Sequence, residues 1–240
     1  MSLPPNVVPF DPKIVTLIQR CMCTIENDNN KPEIQYAAVM HYHDGTWGGQ
    51  RVDQYTLSIG FTETGGNLKK VLQKYIDNGG ALAAQFTPYM LKLGHELIGR
   101  DKNFEDLLKR AAIEPAMQQA QQDGYAEYYL GPTFAWGKTH GFALPLSYLV
   151  LADAFLHSGS IQDFLRARFA EKTPDQGGSE KEWIKQYSQA RHNWLANHSQ
   201  QLLRNTAFRP QSWLNLIAQD NWNLDTLPIA IIDRPKVNYA

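Results

Sequence analysis

The sequence predicts an α+β fold that is mainly α, with two helical lobes and a small β-hairpin beside the first. Three observations predict it. Apolar residues recur at helical spacing through most of the chain after residue 67, and two strand-like runs flank a glycine-rich stretch near residue 48. No repeat, low-complexity tract or domain-scale linker interrupts the 240 residues. A chain of this length buries a substantial core. One domain over 1–240 is expected, with lobes near 11–80 plus the C-terminal helices, and near 81–170.

Residues 1–10 read as an extended, proline-rich arm. Asp11 and Pro12 then open a helix. Its apolar face is Ile14, Leu17, Ile18, Cys21, Met22 and Ile25, and its polar end is Glu26. Asn27 to Pro32 stop it. Glu33 to His43 has strand character through Ile34, Tyr36, Val39 and Tyr42, although Ala37-Ala38 blurs the alternation. Gly45 to Gln50 leads to a second strand-like run, Val52 to Phe61. Thr64-Gly-Gly-Asn67 turns into a helix over Leu68 to Asp77. Further helices are predicted at Ala81–Leu97 (with a break at Pro88), Asn103–Ala112, Pro115–Tyr129, Leu144–Ser158, Ile161–Glu171, Glu180–Asn205 and Gln211–Asp220. Gly131-Pro-Thr and Thr173 to Gly178 carry turn chemistry.

Composition excludes several classes. Hydrophobic residues at 43% and charged ones at 20% fit a soluble globular protein. A net charge of −1 argues against nucleic acid or an anionic membrane surface as a partner. The longest mostly apolar stretch, Phe142 to Leu156, is broken by Pro145 and carries Asp153, so it is too short to span a bilayer. The N-terminus has no basic segment followed by a long apolar one, so no signal peptide is visible. Cys21 and Cys23 point about 200° apart on a helix, which argues against a disulfide between them.

Glu26 and Asp44 are the candidate catalytic pair. Hydrolysis of a glycosidic bond uses two carboxyl groups, one protonated and one ionised. Apolar surroundings favour the protonated one and a solvated turn favours the other. Glu26 follows Cys-Met-Cys-Thr-Ile, which suits the acid. Asp44 lies between His43 and Gly45 in a polar turn, which suits the base. The competing reading is a helix-end glutamate and a turn aspartate with no shared role.

The surrounding motifs favour chemistry. Glu26-Asn27, Ile34-Gln35-Tyr36, Asp44-Gly45, Gly60-Phe61-Thr62 and Thr64-Gly65-Gly66 follow one another in this order. Downstream come Leu149-Val-Leu-Ala-Asp153-Ala-Phe-Leu-His157-Ser-Gly159, then Lys172-Thr-Pro-Asp-Gln-Gly-Gly178 and Gln189-Ala-Arg191. The series strongly resembles the chitosanases of glycoside hydrolase family 46 over most of residues 11–225. The resemblance implies a two-lobed lysozyme-like fold with the β-hairpin beside a cleft. It also implies endo-acting, inverting cleavage of β-1,4 links in an amino-sugar polymer such as chitosan. Glu26 would be the general acid and Asp44 the general base, with no cofactor and no metal. Gln35 and Tyr36 would contact substrate. Asp153 would join Arg191 and either Arg204 or Arg209 in an ion network behind the cleft. A monomer that meets a polysaccharide, secreted or periplasmic, is the implied setting.

The chain departs from that pattern in two places. After the base, the family reads Asp-Gly-Arg-Gly-Tyr-Thr, whose Thr holds the attacking water. Here several residues intervene between Asp44 and Tyr55-Thr56, so either Thr56 or Thr46 is the candidate water-positioning residue. The family's substrate-binding Asp falls on Asn67, whose neutral amide suits an N-acetylated or otherwise altered sugar better than an ammonium. Trp47, in the inserted segment, is a candidate ring for stacking on sugar.

Three rival readings follow. His41-x-His43-Asp44 offers ligands on one strand face, with Asp53, His95 or His140 to complete a metal site, but no established ligand spacing supports it. A peptidoglycan-cleaving, muramidase-like enzyme and a non-catalytic carbohydrate-binding protein are the other two.

Overall fold

The computed structural model describes residues 10–28 and 36–239. They form two compact units, one of residues 36–128 and one of residues 10–28 with 129–239.

The first unit is built on a three-stranded antiparallel sheet in the order β1 (Val39–Trp47), β2 (Gln50–Leu57), β3 (Phe61–Thr62). Trp47 pairs with Gln50 across Gly48-Gly49, both at positive φ, as a two-residue hairpin turn of this twist requires. The predicted hairpin is therefore real, but its limits differ. Tyr36 is helical and Ala37 lies in a turn, so the first strand begins at Val39. The second run breaks at Ser58, where φ is 50°, and returns as β3.

Four helices complete this unit: α2 (Asn67–Asp77), α3 (Ala83–Lys92), α4 (Lys102–Ala112) and α5 (Pro115–Tyr125). Helix α2 packs on α3, α5 and β3, burying Leu68, Val71, Leu72 and Tyr75. The Asp101 side chain caps α4 by accepting from the Asn103 and Phe104 N–H groups at 2.8 and 3.2 Å. Tyr55 and Phe104 meet edge to face at a centroid distance of 5.2 Å, joining sheet to helix. Pro88 lies inside α3 without ending it, contrary to the expected break.

The second unit surrounds α7 (Pro145–Ser158), in which every residue from Leu146 to Phe155 is buried. A helix apolar on all sides needs neighbours on all sides. It has them in α1 (Pro12–Asn27), α6 (Gly131–Thr139), α9 (Glu180–Ala196) and α11 (Phe208–Ala218). Helix α1 starts on the Asp11 cap and ends at Asp28, which adopts φ 54°. Gly131-Pro-Thr, read as a turn, instead opens α6, because proline in the first turn of a helix loses no hydrogen bond. A π-helical segment, Ala126–Leu130, leads into it. The helix predicted over Ile161–Glu171 is only α8 (Asp163–Arg166), and Glu180–Asn205 is divided into α9 and α10 (Gln201–Arg204). Among the described residues no helix is long and apolar enough to cross a membrane.

Candidate active site

The buried face of α1 carries Leu17, Ile18, Cys21, Met22 and Ile25 into the second unit, which leaves Glu26 at its rim, with 23% of the side chain exposed. Its partner is a cation. Arg209 Nη1 donates to Glu26 Oε1, while Arg209 Nε donates to Asp153 Oδ1 at 2.7 Å. Asp153 is fully buried in the middle of α7. Its other oxygen accepts from Arg191 Nη1 and from the Trp213 indole N–H, the latter at 3.1 Å. Burial alone would push the Asp153 carboxyl up; Arg191 and Arg209 more than reverse this and hold it well below the usual carboxylate range. For Arg209, burial opposes the charge, but Asp153 and Glu26 together keep it firmly protonated. The resulting chain of alternating charge runs Arg191–Asp153–Arg209–Glu26.

The sequence had left Arg204 and Arg209 open as members of this network. Arg209 occupies it. Arg204 turns its guanidinium to the His198 and Ser199 carbonyls, capping its own local turn. Trp213 and His157 were not anticipated as neighbours of Asp153. A helix-long spacing between Arg209 and Trp213 places both on one face of α11, which is the signal that could have found Trp213.

Asp44 belongs to the first unit. Pairing of β1 with β2 runs Tyr42 to Gln54, then resumes at Gly45 with Val52. His43 and Asp44 thus oppose Asp53 alone, a β-bulge that re-aims side chains at this point. His43 Nδ1 and Asp53 Oδ1 lie 2.8 Å apart on the surface. Asp44 is exposed, and its Oδ1 accepts from Gln54 Nε2 at 2.9 Å. Gln54 is buried, and its Oε1 accepts from the Thr64 backbone N–H at 3.1 Å and from the Thr64 hydroxyl at 2.7 Å. The Thr46 N–H reaches the same hydroxyl at 3.4 Å. Gly45 admits this arrangement: a Cβ there would lie 2.9 Å from Thr64 Cγ2 and 3.0 Å from Gln54 Cδ.

Thr46 is therefore exposed beside Asp44, while Thr56 is buried in the middle strand opposite Met40 and Thr62. Trp47, half-buried, stands at the tip of the hairpin. Asn67 is the first residue of α2. The Tyr36 hydroxyl accepts from Gln122 Nε2 at 2.8 Å, and its carbonyl accepts from Gln121 Nε2 at 3.0 Å. Gln35 lies outside the described residues. Thr64 entered the sequence reading only as part of its Thr-Gly-Gly motif and Gln54 not at all, because nothing in local spacing marks a contact made through a bulge.

His41 turns from the surface toward Tyr55, ring centroids 4.6 Å apart, whereas His43 pairs with Asp53. Among the described residues no three His, Cys, Asp or Glu side chains converge as metal ligands.

The fold is shared with solved structures. A family 46 chitosanase of Gynuella sunshinyii, in complex with chitotetraose, superposes with a TM-score of 0.81 at 21% identity, over 95% of this chain and 99% of that one. A native chitosanase from Bacillus subtilis MY002 gives 0.79 at 20% identity, over 96% and 98%. No curated protein matches the chain in sequence. The profile described as Glycosyl hydrolase family 46 matches residues 20–229, a span that takes in the C-terminal half of α1 with Glu26, the bulged hairpin and the Asp153 network, and the chain belongs to that family.

Proposed function

We propose that the chain is an endo-acting, inverting hydrolase of β-1,4-linked amino-sugar polymers, with chitosan as substrate, Glu26 as general acid and Asp44 as general base. The observation that carries this reading is the contrast between the two carboxylates of a family 46 chain. Glu26 sits at the rim of an apolar helix face with Oε1 engaged by a buried arginine, so as general acid it carries its proton on the other oxygen. Asp44 stands open to water with one oxygen held. A fixed acid and a solvated base are what single displacement by water needs: the acid protonates the leaving oxygen while the base takes a proton from the attacking water. Similar structures hold chitotetraose and a hexamer of glucosamine, which supports a glucosamine polymer as the substrate class. The same reading makes the protein a monomer that meets its polysaccharide as a secreted or periplasmic enzyme.

Asn67 favours substrates that are not fully deacetylated, since a neutral amide offers no charge to an ammonium. The experiment is to incubate the protein with chitosans of graded acetylation and with peptidoglycan sacculi, and to follow reducing ends. Release from chitosan, with the first product of inverted anomeric configuration by proton NMR, is expected. Release from sacculi alone would replace the reading with a muramidase-like one. Release from neither would leave a carbohydrate-binding protein.

A further inference from the structure

We infer that Gln54 is a positioning residue for Asp44, and that Thr64 sets its orientation. The inference deepens the reading above and holds only if Asp44 is the base. The two ends of the Gln54 amide are distinguished by their partners. The Thr64 backbone N–H can only donate, so the atom 3.1 Å from it is the amide oxygen. The NH₂ group must then face Asp44 Oδ1, 2.9 Å away, and a carboxylate there is an acceptor. The Thr64 hydroxyl adds a second bond to the same oxygen at 2.7 Å. Rotation of the amide would set oxygen against carboxylate and NH₂ against N–H.

A sheet gains nothing from glutamine at this place. Gln54 is 4% exposed in the central strand, where β-branched and aromatic side chains are favoured. Its side chain bonds to Asp44 and Thr64, and Gly45 gives it room to pass beneath the bulge. The bulge points Asp44 into solvent, where an unsupported carboxylate would sample several rotamers. One buried, doubly anchored donor holds one oxygen and leaves the other for water. A base displaced by about 1 Å costs on the order of 100-fold in rate.

The test uses Gln54→Leu, Asp44→Asn and the double variant, with kcat and KM measured on chitosan at high enzyme concentration. Gln54→Leu should lower kcat by about 10- to 100-fold with KM nearly unchanged. In the Asp44→Asn background the same substitution should leave the residual rate unchanged, because nothing remains to be aimed. An equal loss in both backgrounds, or a rise in KM alone, would overturn the inference in favour of a structural role. If Gln54→Leu does not fold, Thr64→Val and Thr64→Ser decide: Val should lower kcat and Ser should restore most of it, and equal rates would refute the relay. Full activity of Asp44→Asn would instead remove Asp44 as base. Loss in Asp44→Asn with full activity in Gln54→Leu would leave the base intact and remove only Gln54.

Discussion

Arg209 donates through Nη1 to Glu26 Oε1, joining residues 183 apart in sequence, and through Nε it reaches the fully buried Asp153. One guanidinium thus fixes a candidate catalytic carboxylate and closes a buried charge network. Lysine lacks the planar fork whose separated donors, Nε and Nη1, reach the two carboxylates here.

Removing Arg209 leaves Asp153 with Arg191 as its remaining cation. Arg209→Leu should destabilise the protein by about 3–5 kcal/mol, the usual cost of breaking a buried pair on one side. Urea denaturation measures it; a loss below about 1 kcal/mol would show that the network behaves like a surface pair.

Stability should fall with acid in a defined way. His157 is pushed well below its ordinary value by burial, then by Arg209 and Arg191, against the pull of Asp153. The folded imidazole stays neutral while the unfolded chain takes up the proton below about pH 6.5, so this contribution is present above that pH and declines as pH falls. Asp153, whose folded value is depressed, adds a second decline below about pH 4. Urea midpoints across this range should show that His157→Gln loses the upper decline and keeps the lower. An unchanged upper decline would assign it to other histidines.

Glu26→Gln keeps volume and cannot donate the proton, so turnover should fall by about 100- to 10,000-fold. Asp44→Asn should suffer comparably and recover partly with added azide, a small anion able to replace the base. Retention of most activity in Glu26→Gln would remove it as the acid.

Gly45→Ala places a methyl group 2.9 Å from Thr64 Cγ2 and 3.0 Å from Gln54 Cδ. We expect a loss of about 1–3 kcal/mol from overpacking together with lower kcat, read by thermal melting and chitosan assays. Wild-type behaviour in both would show that the bulge has slack.

Glu63 is a buried carboxylate that accepts from the Tyr55 N–H at 3.1 Å and from the Ile98 N–H at 2.6 Å, one oxygen to each. Both partners are donors, so an amide must turn its NH₂ toward one of them. Glu63→Gln should therefore cost about 1–3 kcal/mol despite its equal size. Unfolding curves that overlay the wild type would refute this.

What the sequence determined was local or periodic. The Asp11-Pro12 start and apolar spacing of α1 put Glu26 at the polar end of a helix, and Gly48-Gly49 fixed a hairpin turn near Asp44. The all-apolar run around Asp153 required a central helix, and a charge there required cations. Tertiary structure decided the rest. Whether Arg204 or Arg209 meets Glu26 depends on where α11 packs against α7, which no local pattern encodes. That Asp44 is held by Gln54 depends on a one-residue slip in strand pairing, and alternation along a strand carries no record of where its partner slips.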